Sequence, residues 1–383
     1  MRVLFSSLSG IGHINPMVPL ARALQEAGHE VHWATGPESC ARVQAAGIDV
    51  TPAGLSQSAA MAEFWRRHPA TRDLPPQQWP DHMFPKTFGG ISAPAALPDL
   101  LELARSWRPA VVVHDAAELA APIAAAAIGV PHVTHAFGAL LPASRVQLGA
   151  EAVAPLWESE GLESRPYAGC YDHLYIDIYP PSLQPPGGEH VGRRQHLRPV
   201  AFDGATDDVG GEIAERLGRP LVYLTFGTFF QDNPAFRAAL AGISDLGVGL
   251  VVTVGPKGDP AAFGEQPSHV VVERYIPQSQ LLGACDVVAS HAGSGTALAT
   301  LAHAIPQLCL PQAADQFLNA AAIGRSGAGI AIAPAEVDSA GVATAVRRLL
   351  DDPEPRDSAR RVADEIAAMP SPEDVAGVIE TLV

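Results

Sequence analysis

The sequence predicts an α/β protein built from two Rossmann-like domains, each a parallel sheet with helices on both faces. Three observations lead there. Short apolar runs alternate with helix-period segments through the first part of the chain, which is the signature of a covered parallel sheet. The alternation lapses across a Pro- and Gly-rich stretch, Tyr179 to Gly210, and restarts past residue 215. The length, 383 residues, suffices for two domains of roughly 150–200 residues each.

Taken in order, the first strand is Arg2 to Leu8, followed by the glycine turn Gly10-Ile11-Gly12. Asn15 stands where a helix cap belongs, with Pro16 at the first helical position. Leu20, Ala21, Leu24 and Ala27 recur at helical spacing, and Gly28 closes that helix. Val31 to Thr35 is the next strand, and Pro37 starts another helix. Ala110 to His114 and Pro131 to Ala136 read as strands around an Ala-rich helix. In the second half the strand candidates are Leu221 to Phe226, Gly249 to Val254, Val270 to Tyr275, Asp286 to His291 and Gln307 to Leu310. Pro180-Pro181, Pro185-Pro186 and Gly187-Gly188 punctuate the linker. The expected domains are therefore 1–200 and 201–365. Two such sheets facing one another make a cleft, and they bind ligands at the carboxyl ends of their strands.

Two stretches break the alternation, Gly54 to Pro94 and Ala136 to Tyr175. The first holds Phe64, Trp65, Trp79, Phe84 and Phe88; the second holds Phe137, Trp157 and Tyr167. Long insertions of this kind serve as binding loops or lids, while some of their rings form a satellite core.

Composition narrows the partners. A net charge of −16 makes a poor ligand for nucleic acid or an anionic membrane, although a local basic site can still hold one phosphate group. The four cysteines, Cys40, Cys170, Cys285 and Cys309, include no CxxC pair, so neither a structural zinc site nor a redox dithiol is expected. Reduced thiols fit a cytoplasmic protein. The N-terminal apolar run ends at Ser6, too early for a signal-peptide core, and the run Leu119 to Val130 is too short to span a bilayer.

The strongest local signal is His291-Ala292-Gly293-Ser294-Gly295-Thr296, a small-residue turn between a strand and a helix. Backbone N–H groups at a helix N-terminus, two hydroxyls and an imidazole would cradle a diphosphate. The Walker lysine is absent, and a tight packing turn is the plain alternative. Arg274-Tyr275-Ile276-Pro277-Gln278 precedes it, and Pro311-Gln312-Ala313-Ala314-Asp315-Gln316 follows. In this order the three motifs resemble the donor signature of the family 1 nucleotide-sugar glycosyltransferases, in their actinobacterial natural-product (antibiotic) branch. Gly10-Ile11-Gly12-His13, Pro180 to Gln184 and Met369-Pro370-Ser371-Pro372 extend the resemblance over almost the whole chain.

The resemblance implies the GT-B fold, two Rossmann-like domains facing across a cleft, with the closing segment 366–383 a helix that crosses back to the first domain. It implies an acceptor-binding N-terminal domain and a nucleotide-sugar-binding C-terminal domain. Tyr275, Ile276 and Gln278 would line base and ribose. His291, Gly293, Ser294, Gly295 and Thr296 would hold the diphosphate, with Thr228 assisting. Asp315 and Gln316 would bond sugar hydroxyls, which an acid–amide pair suits because it offers acceptors and donors; Asp315 as a helix N-cap is the alternative.

His13 is the candidate general base, because imidazole chemistry suits removing a proton from an alcohol near neutrality. Asp115 would fix its tautomer, as in a triad, or else cap the following helix; His114 is read as structural. With His13 as base, one displacement inverts the anomeric centre. No Asp-x-Asp pair is present, so metal independence is expected. Trp65, Trp79, Phe84, Phe88 and Phe137 would line an apolar acceptor pocket. Eight residues after His291, where relatives using UDP-sugars often carry glutamate, stands Ala299. That favours a dTDP-sugar, a deoxysugar above all, because thymidine has no 2′-hydroxyl to satisfy.

The expected partners are thus a nucleotide sugar and a small-molecule aglycone, with no cofactor and a homodimer left open. The rivals are a UDP-sugar transferase, a sugar-nucleotide epimerase of the same fold, and a non-catalytic nucleotide-sugar-binding subunit. An NAD(P) oxidoreductase fails because Asn15 stands where the third fingerprint glycine belongs.

Overall fold

The computed structural model of the chain describes residues 1–203, 209–227, 233–256 and 258–383. It divides into two compact units. Met1–Tyr179, Pro185–Phe202 and Met369–Val383 form the first; Pro180–Gln184 and Asp203–Ala368 form the second.

Among the described residues, the first unit's sheet has strands β1 (Arg2–Ser6), β2 (Glu30–Thr35), β3 (Asp49–Pro52), β4 (Val111–Asp115), β5 (His132–His135), β6 (Leu174–Asp177) and β7 (Arg194–His196). All pairs are parallel, in the order β3-β2-β1-β4-β5-β6-β7. Strand β4 is buried along its whole length, as a central parallel strand must be when helices cover both faces. The helix Val18–Glu26 buries Leu20, Ala21 and Leu24, and the helix Ala93–Trp107 buries Leu97, Leu100, Leu101 and Ala104. The final helix, Pro372–Glu380, opens with a capping box between Ser371 and Asp374 and packs on Val18–Glu26. There Glu380 meets His29 at 2.8 Å.

The second unit holds β8 (Leu221–Thr225), β9 (Gly249–Thr253), β10 (Val270–Glu273), β11 (Val287–Ser290), β12 (Gln307–Cys309) and β13 (Gly329–Ala331), all parallel, in the order β10-β9-β8-β11-β12-β13. The pleat sorts its side chains into two cores. Val222, Leu224, Leu250 and Val252 join Phe236, Ile243 and Val346 on one face. Leu221, Tyr223, Val251 and Val288 join Ile276, Leu281 and Ala299 on the other.

Several expectations need correction. Asn15 caps no helix: it has helical φ/ψ between a short helix, Ile11–Ile14, and the turn Asn15–Met17, and its side chain bonds Arg42 and the Phe202 carbonyl instead. The stretch Tyr179 to Gly210 is not all linker, because β7 extends the first sheet within it. The insertion Gly54 to Pro94 is largely helical, with Gln57–Arg67, Trp79–Met83 and a π-helical segment Phe84–Ser92. Apolar patterning does not announce strands β3, β6, β7 and β13: β3 (Asp49–Pro52) and β7 (Arg194–His196) are largely polar, and β6 and β13 are short and outside the strand–helix alternation that flags strands of equal length. Among the described residues no helix is long and apolar enough to cross a membrane.

Candidate active site

In each unit the strand order reverses at one place, between β1 and β4 in the first and between β8 and β11 in the second. Chains leaving such neighbouring strands diverge to opposite sides and open a crevice, where doubly wound sheets bind ligands. His13 and Asp115 follow β1 and end β4; Gly227 and His291 follow β8 and β11.

In the first unit Gly10, at φ 147, turns the chain out of β1 into the helix Ile11–Ile14. His13 therefore lies in that helix and not in the glycine turn, since Gly12 is itself helical. The His13 Nδ1 is 3.2 Å from Asp115 Oδ1. Asp115 is fully buried, and two backbone groups hold it: Leu8 N–H donates to Oδ2 and Ala117 N–H to Oδ1, both at 2.7 Å. Burial alone would raise the pKa of this carboxyl. The adjoining His13 imidazole and the two N–H donors outweigh burial and keep it below the usual carboxylate range. A carboxylate at Nδ1 fixes the proton there and makes Nε2 the basic nitrogen.

Asp115 does not cap the next helix, Ala121–Ile128. Glu118 does so, accepting from the N–H of Ala120 and Ala121 at 3.0 and 2.9 Å. His114 is structural: it is buried, bonds the Asp115 carbonyl, His132 and Thr134, and burial pushes it down to about 4.

The aromatic residues divide. Phe137 and Phe88 stand edge-on to the His13 ring, with centroids 4.9 and 6.0 Å away. The π-helical turn, a geometry common at functional sites, brings Phe88 there. Phe84 is 4% exposed and meets Phe88 edge-on from the core. Its burial makes it a support for that wall. Trp65 and Trp79 form their own edge-on pair, beside Phe64 and under Arg72.

In the second unit the helix Ser294–Ala302 starts one residue past Gly293, so its first N–H groups point out of the sheet's carboxyl edge. The His291 ring sits between two glycines. A Cβ at Gly293 would lie 2.6 Å from its Nε2, and one at Gly227 would lie 2.9 Å from its Cε1. Burial pushes His291 down to about 4 against the opposing pull of Asp315, so the ring is a neutral imidazole near neutrality. Asp315 occupies a helix N-cap position without capping; its Oδ2 accepts from Ser294 Oγ at 2.6 Å and from the Asn319 amide at 3.0 Å. Gln316 turns its carbonyl to the N–H of Gln312 and Ala313, which leaves its NH2 as the group to donate elsewhere. Gln278 donates to Thr296 Oγ1 at 2.9 Å, tying the RYIPQ segment to the turn. Ile276 is core, while Tyr275 is half exposed. Thr228 lies outside the described residues. Sequence reasoning missed Asn319 and Glu118, because only the tertiary fold places them at these turns.

Residues 82–206 match the N-terminal domain, and residues 237–382 the C-terminal domain, of the family described as erythromycin biosynthesis protein CIII-like. The L-demethylnoviosyl transferase of Streptomyces niveus is 34% identical over 98% of this chain and 97% of its own. The chain belongs to the antibiotic-biosynthesis branch of the family 1 glycosyltransferases. The fold of this glycosyltransferase matches solved GT-B relatives over its whole length. The glycosyltransferase of Streptomyces sp. SF2575, complexed with thymidine diphosphate, superposes with a TM-score of 0.81 at 28% identity, covering 100% of this chain and 99% of the other. A spinosyn rhamnosyltransferase superposes with a TM-score of 0.83 at 28% identity over 100% of both chains, and has been solved with thymidine diphosphate and with spinosyn aglycone.

Proposed function

We propose that this glycosyltransferase transfers a deoxysugar from a dTDP donor to a hydroxyl of an apolar natural-product aglycone, with inversion and without a metal. The observation that carries the mechanism is the His13–Asp115 pair, with a buried carboxylate on Nδ1. Nε2 takes the acceptor's hydroxyl proton as the oxygen attacks the anomeric carbon. The diphosphate leaves from the opposite face, its charge met by the helix Ser294–Ala302, His291 and the hydroxyls of Ser294 and Thr296. Phe88 and Phe137 offer the apolar wall beside the base.

Two observations support the donor assignment. Solved relatives bind thymidine diphosphate. Ala299 sits on the helix Ser294–Ala302 in an apolar cluster with Ile276 and Leu281, and so position 299 offers no carboxylate to ribose hydroxyls. A hydrogen bond to a charged group is worth about 1.5–3 kcal/mol, or roughly one to two decades of affinity.

The test assays the full chain with a panel of dTDP- and UDP-sugars and polyketide aglycones in the presence of EDTA. His13→Ala is expected to lose about 10²–10⁴-fold in kcat while calorimetric dTDP affinity persists. Near-full turnover of that variant overturns the base, a divalent-ion requirement overturns the metal-free reading, and UDP binding as tight as dTDP overturns the donor.

A further inference from the structure

Behind the His13–Asp115 pair lies a second buried carboxyl, Glu118, 2% exposed. It shares one loop with Asp115, and the two carboxyls accept from four consecutive-turn backbone donors: Leu8 and Ala117 for Asp115, Ala120 and Ala121 for Glu118. The Ser6 hydroxyl, at the end of β1, lies 3.0 Å from Glu118 Oε2. Capping a helix does not require this residue. Serine is a common acceptor for N–H groups at a helix start and carries no charge, whereas a glutamate buried beside another carboxylate costs free energy.

We propose that Glu118 is a positioning residue of the transfer reaction: it acts through Asp115 to set the charge behind His13, and so the strength of His13 as a base. The proposal rests on the reading of His13 as the base.

The surroundings allow Glu118 to change charge where its neighbours do not. Burial, followed by the charge of Asp115, pushes its carboxyl up to about 7. The other titratable groups facing this pair are His13 on its short helix, His114 on β4, His135 on β5 and Cys170 ahead of β6, with Asp172 beyond Cys170. Burial holds His114 and His135 near 4, so both are uncharged at neutrality. Burial likewise raises Cys170, which stays a thiol. Ser6 can serve either form of Glu118, donating to the carboxylate or accepting from the acid. A small cavity of ≈ 20 Å³, space for about one water, adjoins Glu118; Ser6, Ser7, Ser9 and Ser92 line it together with apolar residues such as Leu8, Ala53 and Leu55. The buried Ser9 hydroxyl has no hydrogen-bond partner among the described residues. The carboxyl thus borders, on that side, a cavity in which hydroxyls alternate with apolar side chains, and those hydroxyls can hydrogen-bond either of its forms.

The sign follows. Below the Glu118 titration one negative charge, on Asp115, backs His13. Above it a second charge joins, favours the imidazolium and strengthens the base. Glu118→Gln keeps the shape and the neutral form but cannot ionise.

Two measurements test this. In the pH–rate profile, the ratio of wild-type to Glu118→Gln kcat is expected to rise by roughly two- to three-fold between pH 6 and 8.5, because only part of a change in base strength appears in the rate, while dTDP affinity by calorimetry does not follow pH in that way. Glu118→Asp, which retains a carboxyl, should restore part of the slope. Independently of turnover, an NMR titration of the His13 ring, identified by its loss in His13→Ala, should move down by about half a unit to one unit in Glu118→Gln. A constant kcat ratio across pH, or an unmoved His13 titration, overturns the proposal and reduces Glu118 to a helix cap. The base reading falls separately: if His13→Ala keeps near-full turnover while the His13 titration still moves in Glu118→Gln, the coupling stands and only the base assignment is lost.

Discussion

His291 lies against Gly293 on one side and Gly227 on the other, and any side chain at Gly293 enters the space of its ring. Gly293→Ala would place a methyl 2.6 Å from Nε2, so the imidazole must swing away from the turn proposed to hold the diphosphate. Overpacking of this sort costs about 1–3 kcal/mol, which corresponds to about one to two decades in nucleotide affinity if the ring's place is what the nucleotide needs. Calorimetry with dTDP checks it; unchanged affinity would mean that His291 does not contact the nucleotide. At this scale the sequence is readable where chemistry follows local order. Histidine, small residues and hydroxyls in one short turn suggest an anion cradle, but it took the motifs before and after that turn to favour the cradle over a tight packing turn. His13 and Asp115 could be paired only through the resemblance, because nothing local links β1 to β4. Glu118 was unreadable, since its role depends on burial and on Asp115, which only the folded sheet supplies.

Elements set these turns by bonds that sequence pattern does not contain. Asn319, on the helix Gln316–Ser326, is fully buried, and its amide donates to the Ala292 carbonyl at 2.9 Å, to Ser294 Oγ at 3.0 Å and to Asp315 Oδ2 at 3.0 Å. It fastens that helix to a turn in which Ala292 has φ 60, a conformation that costs a non-glycine residue about 1 kcal/mol or more. Asn319→Asp replaces the donor with an acceptor beside a carboxylate. It should lower the stability of the second unit by about 2–4 kcal/mol and weaken dTDP binding, with Asn319→Ala milder because it adds no charge. Denaturant melts and calorimetry on both variants decide it; an alanine variant as stable as wild type would show that the donor role of the amide is dispensable, and an aspartate variant no worse than alanine that the added charge costs nothing. Long amphipathic helices and apolar central strands were legible because burial imposes their periods. Edge strands such as β7 and β13 were not, since an edge position buries fewer side chains and so imposes no apolar run on residues such as Arg194, Gln195 and His196.

Over the whole molecule, buried histidines decide how the protein meets acid. In the first unit burial holds His114 and His135 near 4 and His132 well below the ordinary value. Their folded pKa values lie below the unfolded value, so the stability they contribute is complete above about pH 6.5 and is lost as pH falls toward 4. Glu118 works the other way. Its folded pKa, about 7, exceeds the unfolded value, so its contribution is complete in acid and fades as pH rises through 7. Between about pH 4.5 and 6.5 the unfolded first unit therefore binds about three extra protons at these buried histidines, with a smaller addition from His32 and His68, and one fewer at Glu118, an excess of at least about two, or roughly 2–3 kcal/mol or more of lost stability per pH unit. The second unit has His291 as its corresponding group, an excess of about one. All five tryptophans, Trp33, Trp65, Trp79, Trp107 and Trp157, belong to the first unit, so tryptophan fluorescence reports its unfolding alone. Urea melts read by fluorescence from pH 7 to 5 should lose stability at that slope, and Glu118→Gln, which removes the opposing proton, should steepen it toward three protons. A flat profile would mean that the buried histidines carry protons inside the fold. An unchanged slope in Glu118→Gln would mean that Glu118 is already ionised across that range, in conflict with a carboxyl raised by burial and by its neighbour Asp115.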